Sequence, residues 1–289
     1  MRREAALSRG PDRAPLVRRG DRIAHVIQLR DGDSINGLLS ATHSGLPINL
    51  AGDLFPVYST INVARKSGIR GSGYATELRG SAGPTMNVTA DSIVIENVRF
   101  VRQQGLPSAS LITRPVRCSG DTYSPAALGT DTSTAALTIT GDNVTVRNCW
   151  FDGFDNAIYS TGANTQVKCC YFKGAANSSK AGVYLAGTYG HVTGCYMDEL
   201  AYGVYAAGDK SSISDNTILA TETGIFVISD SNRVHGNHCD GHADGFAIVF
   251  THDAEKNTVT GNVSGVGTMF FTTGKNNLYG ANIATVDLE

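Results

Sequence analysis

The stretch VTGCYMDELAYGVYAAGDKSSISDNTILATETGIFVIS, residues 192–229, says nearly the same thing twice, and self-similarity of this kind restricts a chain to repeat architectures. Set against its neighbours, it gives Val146, Val167, Val192, Ile213, Val234, Val259 and Leu278 as equivalent positions. Their steps are 21, 25, 21, 21, 25 and 19 residues. Each step of 25 holds a loop insertion, GAANSSK in the first and THDAEKN in the second, so the period is 21. A second anchor, Ala157, Gly182, Gly203, Gly224 and Gly245, follows the first by 11 residues wherever no insertion intervenes. The unit is too short for the larger strand-helix repeats and carries β-branched and aromatic residues with period-two alternation. It therefore reads as one coil of short strands and turns, stacked on its neighbours at the spacing of paired strands, about 4.8 Å. Composition agrees: 33 glycines and 17% charged residues favour strands and tight turns.

The columns of this alignment predict where side chains point. Cys149, Cys170, Cys195, Asn216, Asn237 and Asn262 form one inward column, and Phe151, Phe172, Met197, Ile218 and Cys239 another. The Asn run suits a side-chain amide ladder, and the cysteines suit stacked free thiols. A disulfide there is not expected, because in-register Cβ atoms lie about 4.8 Å apart and a disulfide wants about 3.8 Å. Earlier coils run through Ile69 and Ile95, and residues 101–135, rich in Pro, Ser, Thr and Gly, interrupt the Ile95 coil as a long excursion.

The coil pattern Val-x-x-Asn-x-Ile…Gly-Ile-x-Val resembles the right-handed parallel β-helix of the pectate-lyase-like superfamily, most of all the short spikes and fibres of tailed phages and related particles. The resemblance covers residues 46–283, with SINGLLSATHSGLPINLAGDLFPVYSTINVARKSGIRGSG similar to the family's usual opening, a capping helix, a first strand pair and a Gly-rich turn. It implies an all-β, single-stranded parallel β-helix over residues 31–289. The superfamily holds lyases, hydrolases, epimerases and silent binders, so fold alone does not fix activity.

Residues 1–30 carry eight Arg against Glu4, Asp12 and Asp21, a net +5, which leaves −7 on the remainder. The arm has no apolar h-region, so it is not expected to be a secretory signal. It reads either as a solvated tail or as an anchor that docks on a partner. No stretch approaches a membrane span, and the overall charge of −2 gives no reason to expect nucleic acid.

Two outward columns are aromatic. Trp150, Tyr171 and Tyr196 lead to Thr217 and His238, and Thr138, Tyr159, Tyr184, Tyr205 and Phe226 lead to Ala247. Such stripes need burial against a sister chain, a stacked saccharide, or cover by the 101–135 excursion. The reading adopted assigns Tyr159, Tyr184, Tyr205 and Phe226 to an oligomer face, and Trp150, Tyr171 and Tyr196 to a glycan. Between the stripes lie Asp152, Asp155, Asp198, Glu199, Glu222, Asp240 and Asp244. Glycoside hydrolysis uses paired carboxylates about 5 to 9.5 Å apart, so Asp152, Asp155, Asp198 and Glu199 are the candidates for catalysis. Arg147 and Lys168 are adjacent in one outward column, as a lyase base would be, and CDGHADG does not match the family's hydrolase signature. His235, His238, His242 and His252 lack a zinc spacing, and neither a metal nor a cofactor is expected.

Two classes of function follow. One is a virion-type spike or fibre that binds cell-surface, capsular polysaccharide as a homotrimer and joins other particle proteins through its arm, located on a phage-like particle and extracellular after release. The other is a polysaccharide depolymerase, lyase or epimerase of the same fold.

Overall fold

The structure, a computed structural model, describes residues 27–29, 35, 47–50, 52–80, 84–102, 135–174, 181–265, 268–272 and 275–284. Side chains at 27–29, 220, 241–244, 268–272 and 284 are not among those described. The capping helix expected before residue 47, the arm before Ile27 and residues 103–134 of the excursion lie outside the described residues.

Most coils repeat three short strands, the second and third running on as one in Thr217–Val227 and His238–Phe250. The first face is an 11-stranded parallel sheet that runs from Ile27–Leu29 to Leu278–Gly280. A second face follows one corner later, as in Trp150–Asp152, Tyr171–Lys173 and Tyr196–Asp198. A third holds Ala135–Ile139, Asn156–Ser160, Ala181–Leu185 and Tyr202–Ala206. Among the described residues the strand pairs are parallel, and they keep register except where Thr217–Val227 meets His238–Phe250, so the expected all-β solenoid is what forms. From the Ile95 coil onward, the corner after the first face is turned by one left-handed residue per coil. Asn97, Asn148, Cys169, Gly194, Asp215, Gly236, Gly261 and Ala281 all have φ between 50 and 67°. Asn, Asp and Gly tolerate that region, which is why the corner favours them.

Alternation puts the anchor column in the core, where Val146, Val167, Val192, Ile213, Val234 and Val259 are buried. Beside them Phe100, Phe151 and Phe172 stack face to face, with centroids 5.1 and 4.9 Å apart. The amide ladder is present. The backbone N–H groups of Cys195, Asn216, Asn237 and Asn262 each donate to the next coil's Asn Oδ1 at 2.9 to 3.1 Å. The Nδ2 atoms of Asn216, Asn237 and Asn262 donate to carbonyls of Val192, Ile213 and Val234. Cys149, Cys170 and Cys195 occupy the same slot, and their thiols reach the equivalent carbonyls at 3.7 to 3.8 Å. They are buried and free, as expected. Burial and then hydrogen bonding to Cys149 push Cys170 upward, hydrogen bonding to Cys170 and then burial do so for Cys195, and burial raises Cys239 to about 12. A second ladder, unforeseen in the sequence, runs through Ser211, Asn232, Asn257 and Asn277 at the opposite turn.

Four expectations are corrected. Ile27–Leu29 pairs with Ile48–Leu50, so the solenoid begins inside the segment read as the arm. In the last coil Val259 pairs with Tyr279, not Leu278. The Asn257–Asn277 and Asn262–Asn282 rungs fix a 20-residue step, and a one-residue slip exchanges inside for outside. Leu278 is accordingly 64% exposed. The second insertion is also split. Phe226 pairs with Val249 and Arg233 with Thr258, which places two extra residues before Phe246 and two in THDAEKN. Gly224 therefore matches Ala247, and the column beyond Phe226 continues to Val249, not Ala247. Finally, the strand Arg99–Arg102 and the resumption at Ala135 confine the excursion to 103–134.

Candidate functional site

On the second face the outward column reads Glu77, Arg99, Trp150, Tyr171, Tyr196, Thr217, His238 in register. Its aromatics are half-buried. The Tyr171 and Tyr196 rings stack at 5.2 Å with planes 4° apart, because strand register holds them one coil spacing from each other. Tyr74, 60% exposed and contributed by the Gly73–Ala75 turn, meets Trp150 edge-on at 5.8 Å. The Arg99 guanidinium lies 4.4 Å above the Tyr74 ring. Four aromatic residues thus follow one another along this face, three half-buried and Tyr74 exposed.

Charges flank this platform in a second column, two residues on: Asp152, Lys173, Asp198, Leu219, Asp240. Arg99 bridges Glu77 at 2.9 Å and Asp152 at 3.2 Å, and Arg79 reaches the same Glu77 at 2.5 Å. Lys173, set between Asp152 and Asp198, also lies 3.9 Å from Glu199. His238 Nε2 is 2.8 Å from Asp240, whose other oxygen accepts from Gly265 N–H at 2.5 Å. Burial, more than the offsetting Lys173 charge, raises the Tyr171 phenol, and Asp198, Tyr196 and Asp152 add to the rise. Tyr171 therefore stays a hydroxyl donor across neutral pH.

The catalytic candidates separate. Asp155 is 0% exposed and held by Arg102 at 3.2 Å, so it cannot reach a polymer on the surface. This removes it from the set. Asp152 and Asp198 stay half-buried on the platform's edge two rungs apart, about 9.6 Å at strand spacing, with Lys173 between them. Glu199 is exposed at a left-handed corner, and Glu222 is half-buried on the same coil as Phe226. The side chains of Asp244 and His242 are outside those described. Among the described residues no three His, Cys, Asp or Glu side chains converge as metal ligands.

Arg147 and Lys168 do neighbour each other, but on the first face. There Arg147 and Arg70 clamp Glu96 between them, Arg147 at 2.5 Å. Burial alone would raise that carboxyl; hydrogen bonds and charge from the two arginines outweigh it and hold it below the usual range.

The other aromatic column behaves differently along its length. Tyr159, Tyr184, Tyr205 and Phe226 stack successively at 4.9, 4.7 and 5.0 Å. Tyr159 and Tyr184 are half-buried, whereas Tyr205 is 6% and Phe226 0% exposed within one chain. With Ala181, Tyr202 and Val249 the last two form a second hydrophobic cluster. Phe226 and Tyr205 therefore have no free area to give a sister chain, which limits the expected oligomer face to Tyr159 and Tyr184.

Tyr74, Glu77 and Arg99 were missed in the sequence. Arg99 stands four residues after Ile95, as Trp150 does after Val146, so carrying the column one coil upward finds it. The turn at Gly73–Ala75 breaks that spacing for Glu77.

A family model described as "Right handed beta helix region" matches residues 135–283, just over half of the chain. The chain belongs to the right-handed β-helix family. Among solved structures, this β-helix is similar to a GH87 α-1,3-glucanase catalytic domain in complex with tetrasaccharides, at TM-score 0.58 and 12% identity over 94% of this chain. It spans only 60% of that domain. It is also similar to the tailspike protein of E. coli bacteriophage HK620 in complex with a pentasaccharide, at TM-score 0.55 and 12% identity over 86% of this chain and 52% of that one. An alginate lyase from Paenibacillus gives TM-score 0.53 and 11% identity over 87% and 96%. At such identities these similarities show the fold alone. No curated protein matches the sequence.

Proposed function

We propose that this β-helix binds a polysaccharide along its second face, with Trp150, Tyr171, Tyr196 and Tyr74 as the stacking platform. The observation that carries the reading is the parallel, stacked Tyr171–Tyr196 pair, half-buried on this face and continuous in register with Trp150. Rings stacked at one coil spacing present a continuous ladder of apolar edges and phenol hydroxyls to successive pyranoses, and carboxylates beside them accept hydroxyl hydrogen bonds. In this reading the chain is the receptor-binding spike or fibre of a phage-like particle, attached through residues before Ile27 and meeting cell-surface polysaccharide. The glycan-bound tailspike of the same fold supports that context. Tyr159 and Tyr184 keep the area that a homotrimer would cover, and a monodisperse monomer in light scattering at micromolar concentration would contradict the trimer. Retention of the protein on a panel of capsular, bacterial and plant polysaccharides tests the binding itself.

A second reading, a depolymerase, lyase or epimerase, draws on Asp152 and Asp198, whose two-rung separation is close to the upper end of the range for inverting hydrolases, about 6.5 to 9.5 Å. Binding is favoured over it because Arg99 and Lys173 engage these carboxylates' surroundings and leave neither an apolar pocket that would make an acid. New reducing or unsaturated ends in the same panel would reverse that preference.

A further inference from the structure

We infer that the second face selects an uncharged glycan and refuses polyuronates and other anionic chains. The inference rests on the glycan-binding reading above and names its substrate class. An aromatic platform alone does not discriminate here, since a uronic acid ring has the same apolar face as the corresponding hexose. Selection falls to the charges around it.

Among the described residues each cation on this face already has a carboxylate, Arg102 at its end being held by the buried Asp155. Arg79 and Arg99 share Glu77, Arg99 also holds Asp152, and Lys173 lies beside Glu199 and in register between Asp152 and Asp198. His238 is joined to Asp240. Beside the Arg102–Asp155 pair, three permanent cations among the described residues, Arg79, Arg99 and Lys173, thus stand against five carboxylates, Glu77, Asp152, Asp198, Glu199 and Asp240. A uronate laid on Trp150, Tyr171 and Tyr196 would find no unengaged guanidinium to take its carboxylate in a fork. It would have to break an existing pair or sit in a field of its own sign. A neutral sugar meets the opposite situation, because its hydroxyls donate to the same carboxylates and the Tyr171 hydroxyl supplies a complementary donor.

The test uses chemically matched polymers. Whichever polysaccharide retains the full chain in the panel is compared with its own C6-oxidised form if neutral, or its carboxyl-reduced form if anionic, at low ionic strength. The uncharged member should be held tighter by about tenfold, with added salt narrowing the gap as repulsion is screened. Tighter retention of the carboxylated member overturns the inference and leaves glycan binding standing. No retention of any polysaccharide overturns the binding reading and the inference together. Glu77→Gln combined with Asp152→Asn releases Arg99 and should raise retention of the carboxylated member by at least about fivefold. Asp198→Asn, outside those ion pairs, should narrow the ratio even if the double variant does not fold. A ratio unmoved in every folded variant would show that these charges do not set the preference.

Discussion

Two aromatic columns run along the same coils of this β-helix, both pointing outward by the same alternation, yet one stays half-buried throughout and the other passes from half-buried at Tyr159 and Tyr184 to core at Tyr205 and Phe226. The difference lies in their neighbours. Two residues beyond Trp150, Tyr171 and Tyr196 come Asp152, Lys173 and Asp198, which need water and keep the rings beside them open. Two residues beyond the Tyr159 column come Thr161, Ala186, Ala207 and Ile228, and three residues before it Asn156, Ala181, Tyr202 and Thr223. With no charge to hydrate, Tyr202 turns edge-on to Tyr205 and Phe226 at 5.8 and 5.5 Å and closes a second cluster. In a solenoid, outward is a direction and exposure is decided by lateral chemistry.

The sharpest way to break this contrast is Phe226→Ala. Removing a fully buried ring should cost about 3 to 5 kcal/mol in urea unfolding, while the folded fraction retains polysaccharide as before. A loss below about 1 kcal/mol would place Phe226 on the surface with Trp150. Next in size is Asn237→Ala, which strikes beneath both columns at once. It strips an acceptor from the Asn216 N–H and a donor from the Ile213 carbonyl, and should destabilise by about 1 to 3 kcal/mol, measurable as a lower unfolding midpoint. If the ladder is dispensable, the midpoint will not move.

A smaller effect is expected on the first face, which carries neither stripe. Glu96 has a folded pKa below its unfolded value. Its contribution is therefore complete above the unfolded pKa of about 4.3 and disappears as pH falls through the lowered folded value. Glu96→Gln should cost about 1 kcal/mol near neutrality and flatten the stability profile below about pH 4.5, with glycan retention unaffected. An unchanged acid limb in the variant would mean that the Arg70 and Arg147 clamp contributes nothing.

Much of this was legible in the sequence, and the failures have common causes. The period, the inward Cys–Asn column and the outward aromatics all follow from strict register between Val146 and Val234, where insertions are confined to turns. Register was lost where two small insertions share one coil, so Gly245 took the place of Ala247, and in the last coil, where Leu278 looks like an anchor and the Asn rungs choose Tyr279. Asp155 resembled its neighbours in sequence because nothing local shows that Arg102, 53 residues earlier, closes over it. Tyr74 joined the platform from a turn that no column contains.

The central claim is that the Trp150 column meets glycan and the Tyr159 column meets protein, and a crossed pair of double variants tests it most directly. Retention on one polysaccharide and thermal unfolding are measured for Trp150→Ala with Tyr171→Ala, and for Tyr159→Ala with Tyr184→Ala. The first pair should weaken retention by about 1 to 3 kcal/mol and leave the unfolding midpoint almost unchanged. The second should lower the midpoint or dissociate the oligomer and leave each folded chain's retention intact. Undiminished retention in the first pair, whatever the second pair does, would contradict the account.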